Sequence, residues 1–135
     1  MAGRPAAASE RPDHSRELAL TAARIADENR GRDIVILDMR QLTSVFDYFV
    51  IASGSSVRQL HAISDEIELA VKNSLGDRKL GREGYIEGGW VLIDYGDVVV
   101  HLFDDKARDY YGLEDLWGDA SRIPFTPELS VRSEE

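Results

Sequence analysis

The sequence predicts a mixed α/β domain, a β-sheet flanked by helices, and three observations predict it. Two stretches carry apolar residues at helical spacing: Leu18, Ala22, Ile25 and Ala26, then Leu60, Ile63, Ile67, Ala70 and Val71. Four short apolar runs lie between and after them, at 34–37, 48–52, 90–93 and 98–103, with Gly or Asp at their borders. The chain has 135 residues, 43% hydrophobic and 30% charged. That is one ordinary domain, able to bury roughly two-thirds of its unfolded surface.

The elements follow in order. Residues 1–14 and 126–135 lack periodicity and are expected to be disordered tails around a domain spanning 15–125. Ser15 is expected to cap a first helix that Gly31 ends. A strand follows at 33–38 and a second at 47–53, broken by Gly54. Ser56 and Gln59 have the spacing of a capping box for a second helix, which Gly76 closes. Residues 78–84 read as a charged loop and 85–87 as a short strand. The strands at 90–93 and 98–103 are joined by Asp94-Tyr95-Gly96-Asp97. A short helix is expected from about Lys106, then a segment over 113–117 before Gly118. Strands joined by a tight turn are antiparallel, whereas a strand-helix-strand crossover can be parallel, so the sheet is mixed.

Charge narrows the function. The net charge is −9, and it is unevenly spread. Ten basic and ten acidic residues balance between Ser15 and Arg82, whereas residues 83–120 hold ten acids against Lys106 and Arg108 alone. Phosphate backbones need Lys and Arg, so this half is expected not to bind nucleic acid directly. A basic protein would be steered towards it. There is no cysteine, which excludes disulfides and thiolate chemistry. No apolar run approaches the ~20 residues that span a bilayer, and the first residues lack a secretory apolar stretch. No membrane association and a cytoplasmic location are expected.

The hairpin is the most informative segment. With Tyr95-Gly96 as a two-residue turn, Asp94 would face Asp97 and Trp90 would face His101. Val91, Ile93, Val98, Val100 and Leu102 would share a plain core face. Trp90, Leu92, Asp94, Asp97, Val99, His101 and Phe103 would share the other. Two acids opposite each other are destabilising unless a cation visits. An aromatic centre with an acidic rim suits a protein partner.

Catalytic constellations are weak. His14, His61 and His101 have neither His-x-His nor His-Glu-x-x-His spacing, so no metal site is expected. Gly54-Ser55-Ser56 sits between strand and helix, as a phosphate-binding turn would, yet a turn with a helix cap accounts for it. A nucleotidyl-transfer enzyme would need an Asp-x-Asp on a strand. Asp65 and Glu66 are adjacent within a helix and point apart.

Three blocks then carry a resemblance: 47–54 (DYFVIASG), 90–101 (WVLIDYGDVVVH) and 110–120 (YYGLEDLWGDA). In this order the chain closely resembles the bacterial ribosomal silencing factor (RsfS, Iojap-related) family from about Ser15 to Ala120. The resemblance implies a nucleotidyltransferase-like α/β fold without the catalytic carboxylates, and no cofactor. It implies binding to the large ribosomal subunit through the fourteenth protein of the universal large-subunit set. That protein lies on the face that meets the small subunit, so occupying it blocks subunit joining and represses translation. Some members form homodimers, and roles in large-subunit maturation have been proposed. The patch and the matching blocks together mark Trp90, Leu92, Asp94, Asp97, His101, Lys106 and Tyr110 as partner-binding residues. Two other classes compete: a metal-dependent nucleotidyl- or phosphoryl-transfer enzyme, and a homodimeric large-subunit assembly factor.

Overall fold

The computed structural model describes residues 11–85 and 88–125. The expected tails over 1–10 and 126–135, and residues 86–87 of the expected short strand, lie outside the described residues. The elements are α1 (Arg11–Glu28), β1 (Arg32–Asp38), β2 (Tyr48–Gly54), α2 (Val57–Leu75), β3 (Gly81–Tyr85), β4 (Trp90–Asp94), β5 (Val98–Asp104), α3 (Asp105–Tyr111), α4 (Leu113–Leu116) and β6 (Ser121–Ile123). The strands form one mixed sheet in the order β3-β4-β5-β2-β1-β6. β2 and β5 pair in parallel, while β1 with β2, β1 with β6, β3 with β4 and β4 with β5 pair antiparallel.

The parallel pair is the spine. Every residue of β2 is buried, as is every residue of β5 except Asp104. A central strand covered on both faces reads as a continuous apolar run, which is how Tyr48-Phe49-Val50-Ile51-Ala52 reads. Alternation then sorts two cores. Tyr48, Val50, Ala52, Val98, Val100 and Leu102 join Leu18, Ala22, Leu60, Ile63 and Ile67 beneath α1 and α2. Phe49, Ile51, Val99 and Phe103 join Leu37, Met39 and Ala107 on the opposite face, with Leu113 and Trp117 packed over them.

Local chemistry explains the helix ends. Ser56 caps α2 by accepting the Gln59 backbone N–H at 3.1 Å, and Gly76 ends it in the left-handed region at φ +78. Asp104 caps α3, accepting the Ala107 N–H at 2.8 Å.

Four expectations are corrected. α1 starts at Arg11, so residues 11–14 are helical and Ser15 is not a cap. Ser15 is buried inside the helix and donates to Asp47 at 2.8 Å. The charged loop at 78–84 becomes the edge strand β3 from Gly81, its Arg82 anchored to Asp65 and Glu68 of α2. β6, a three-residue edge strand, had too short and polar a pattern to signal itself. The hairpin register also differs by two residues: Asp94 pairs with Val99, Leu92 with His101 and Trp90 with Phe103. The Tyr95 N–H donates to the Val98 carbonyl at 2.9 Å, so Gly96 and Asp97 form the turn, with Gly96 at φ +91. A primed hairpin turn needs that positive φ at its first central position. A shift of two leaves every strand side chain on its expected face, since the side-chain period is also two.

Gly89 starts the hairpin at φ +63, and a Cβ there would run into the Asp104 carboxylate. Gly89→Ala should therefore lower stability by about 2 kcal/mol, read as a lower urea midpoint with an unchanged m-value. An unchanged midpoint would show that the turn relaxes freely.

Candidate functional site

The expected site residues divide between the two ends of the hairpin. Trp90 starts β4, opposite Phe103 at the end of β5, where α3 begins. Lys106 and Tyr110 of α3 are exposed there and, with Tyr111, Ala107, Asp104 and Gly88, line an open hollow of about 380 Å³. Asp94 and Asp97 sit at the other end, roughly 13 Å along the strand at ~3.3 Å per residue.

The expected pairing of the two acids is replaced. Asp94 caps the turn through its carboxylate, which accepts the Gly96 N–H at 2.7 Å. The Asp97 carbonyl accepts the Asp47 and Tyr48 N–H groups at 2.7 and 3.2 Å, tying the turn to the start of β2. Asp94 and Asp97 therefore do not face each other across the strands, and no visiting cation is needed to offset such a pairing.

The hairpin face that carries Trp90, Leu92 and His101 is partly roofed. His101 is only 5% exposed, with Phe49 edge-on at 4.8 Å, Trp90 at 5.8 Å and Phe103 stacked at 6.3 Å. Its ring nitrogens have no hydrogen-bond partner among the described residues. Burial pushes its pKa down to about 4, so the ring is neutral at pH 7. It supports Trp90 from beneath and does not reach the surface. Leu92, half-buried, packs beside it.

A run of touching rings extends across this face: Phe46 on Phe49 (5.1 Å), Phe49 on His101, His101 on Trp90, Trp90 on Tyr111 (4.6 Å) and Tyr111 on Tyr110 (5.0 Å). Tyr110, 82% exposed, brings the run to solvent. Phe46, Phe49, Tyr111 and Trp117 were not selected by the sequence argument. Leu113 and Trp117 were visible as an apolar pair four residues apart, the spacing of one helical face. Phe46 lies in the β1–β2 connection, where no periodicity marks it. Ion pairing frames this end: Arg108 donates through Nε and Nη2 to the Glu114 carboxylate at 2.8 and 3.0 Å, and through Nη1 to Ser53 Oγ at 2.8 Å. The hydrogen bond from Arg108 holds the Glu114 carboxyl below its ordinary range.

The residues considered for catalysis do not assemble. Asp65 on α2 binds Arg82 at 2.7 Å. Gln59 Oε1 accepts from the Ser55 hydroxyl at 2.7 Å, binding the Gly54-Ser55-Ser56 turn to the helix start. Among the described residues, no group of three or more His, Asp or Glu side chains is placed to hold a metal ion. Among them, too, no helix is long and apolar enough to cross a membrane.

Residues 12–135 match the protein family described as "Ribosomal silencing factor during starvation". The chain belongs to the ribosomal silencing factor family. A relative from Bacillus subtilis (strain 168), named ribosomal silencing factor RsfS, is 48% identical over 100 residues, covering 73% of this chain and 83% of that protein. A crystal structure of a Chromobacterium violaceum protein superposes with a TM-score of 0.72 at 38% identity, covering 82% of this chain and 91% of the other. A mouse relative named mitochondrial assembly of ribosomal large subunit protein 1 is 34% identical over 92 residues, covering 67% of this chain and 40% of its own length. The silencing-factor fold is thus the mixed sheet described above, and the family carries the name of a regulator of ribosomes.

Burial of His101 predicts a pH dependence. Above pH ~6.5 both folded and unfolded chains hold it neutral; between 6.5 and about 4 only the unfolded chain takes up the proton. Stability attributable to this group is therefore lost as pH falls across that window, by up to ~3 kcal/mol at its foot. His101→Leu should flatten the stability-versus-pH curve between pH 7 and 4.5 in urea titrations. Parallel curves for the two proteins would contradict a buried, neutral ring.

Proposed function

We propose that this chain silences ribosomes by docking the Trp90 end of its hairpin onto a basic protein of the large ribosomal subunit. Membership of the silencing factor family supports a ribosomal role. The name of the mouse relative supports the large subunit as the target. The observation that carries the docking face is Tyr110, 82% exposed, continuing from half-buried Trp90 through exposed Tyr111 in a region rich in acids.

In this reading Trp90, Leu92, Tyr110 and Tyr111 form the apolar and aromatic centre. Such side chains bring large contact area with few rotors to immobilise. Lys106 borders the centre, and Asp94 and Asp97 form an outer rim that attracts Lys or Arg of the partner. His101 contributes by backing Trp90. The partner is the fourteenth protein of the universal large-subunit set, on the face that receives the small subunit. Occupation of that face excludes the small subunit by steric overlap and lowers translation in the cytoplasm. The mechanism needs no bond to be made or broken.

Co-sedimentation with separated large subunits, small subunits and joined ribosomes at two salt concentrations tests this directly. Selective binding to the large subunit is expected, weaker at high salt. Trp90→Ala should weaken it by ~2 kcal/mol or more, roughly thirtyfold. Unchanged affinity of that variant would remove Trp90 from the face, and failure to bind any ribosomal particle would defeat the reading.

A further inference from the structure

The block 110–120 contains Glu114 and Trp117, which docking through Trp90 and Tyr110 does not itself explain. The geometry of α3 and α4 does. These helices have seven and four residues. Helices so short have no stability of their own and take their position from tertiary contacts. α3 buries only Ala107 fully, and α4 buries no residue fully. Apolar packing alone leaves their placement weakly specified.

We propose that Arg108 is the positioning residue of the docking face: it ties Ser53 at the end of β2 to Glu114 of α4, and so seats Tyr111 against Trp90 and Trp117 against Phe49. The proposal rests on the docking reading above for the consequence, not for the geometry. Arg108 projects from the middle of α3 and is 14% exposed at its side chain, with Glu114 at 25%. Its planar guanidinium uses one edge for both Glu114 oxygens and another nitrogen for Ser53 Oγ, which is itself buried. A bidentate fork fixes direction as well as distance. The clamp closes over the turn at Gly112, whose φ of +54 reverses the chain between the two helices. It fixes the helix pair relative to the sheet spine, because Ser53 lies in the parallel ladder opposite Phe103. Trp90 touches both Phe103 (5.1 Å) and Tyr111 (4.6 Å), so a shift of α3 against β5 would part Tyr111 from Trp90. A lysine at 108 keeps the charge and loses the fork.

The test compares the wild-type chain with Arg108→Gln, Arg108→Lys and Glu114→Gln. Three readouts are used: binding to purified large subunits, hydrogen exchange, and fluorine NMR of protein labelled with 5-fluorotryptophan. The sequence has two tryptophans, so two resonances report on the two seats. Arg108→Gln should move both resonances, speed exchange over 105–117 while β2 and β5 stay protected, and weaken large-subunit binding about tenfold or more. Arg108→Lys should follow it, which separates geometry from charge. Glu114→Gln should do the same to a smaller degree and serves if the arginine variants unfold. Moved resonances with wild-type binding would overturn the positioning role, as would unmoved resonances and unchanged exchange. If wild-type protein binds no large subunit, the docking reading fails by itself, and the fluorine and exchange results still decide whether Arg108 seats the aromatic face.

Discussion

The parallel pairing of β2 with β5 is the constraint on which the rest depends. These strands are distant in sequence, and their ladder runs from Tyr48 beside Val98 to Gly54 beside Asp104. Parallel neighbours cannot be joined by a tight turn. The chain between them must therefore cross over: α2 packs on one face, and the β3–β4 hairpin extends the sheet beyond β5 before β5 enters beside β2. Because the spine is buried on both faces, its strands are apolar over most of their length, with Ser53 and His101 the buried polar exceptions, and each face must then be covered. Long α1 and α2 cover one face. Short α3 and α4 cover the other incompletely, which leaves the aromatic run partly exposed at its Tyr110 end.

That incomplete roof has a cost and a use. It buries His101 without a hydrogen-bond partner among the described residues, a position an aliphatic side chain would fill with less penalty. It also packs Trp90 against the rings of His101, Phe103 and Tyr111, so that part of the aromatic surface is held by the fold itself. Preorganisation reduces the ordering cost of association. The roof is held by a polar clamp because two helices of this length offer too little apolar area to hold themselves.

Most of the fold was legible because its signals are local. The periodicity of Leu60, Ile63 and Ile67 marked α2, Gly76 marked its end, and the run Tyr48 to Ala52 marked the buried spine. The face assignment of the hairpin survived an error of two residues in its register, since parity and not exact pairing decides which side a residue takes. What escaped was set by tertiary contact. Ser15 has the chemistry of a cap, but its distant partner Asp47 draws it into the helix interior. β3 has two glycines and two charges, and becomes a strand through pairing with β4 and the grip of Asp65 and Glu68 on Arg82. Trp90 and Tyr110 were picked out in the sequence, while Tyr111, Phe49 and Trp117 needed the fold to bring them into one run of rings. Asp94 and Asp97 were placed too close to it, because sequence proximity hid the length of the strand between.

The central claim is that the Tyr110 end of the hairpin meets a basic protein of the large subunit. Photocrosslinking reads that contact with least inference. p-Benzoylphenylalanine placed at Tyr110 should crosslink large subunits through a basic ribosomal protein, whereas the same group at exposed Leu69 on α2 should give no product. A crosslink from Leu69 with none from Tyr110 would contradict the account and move the docking face to the opposite side of the sheet.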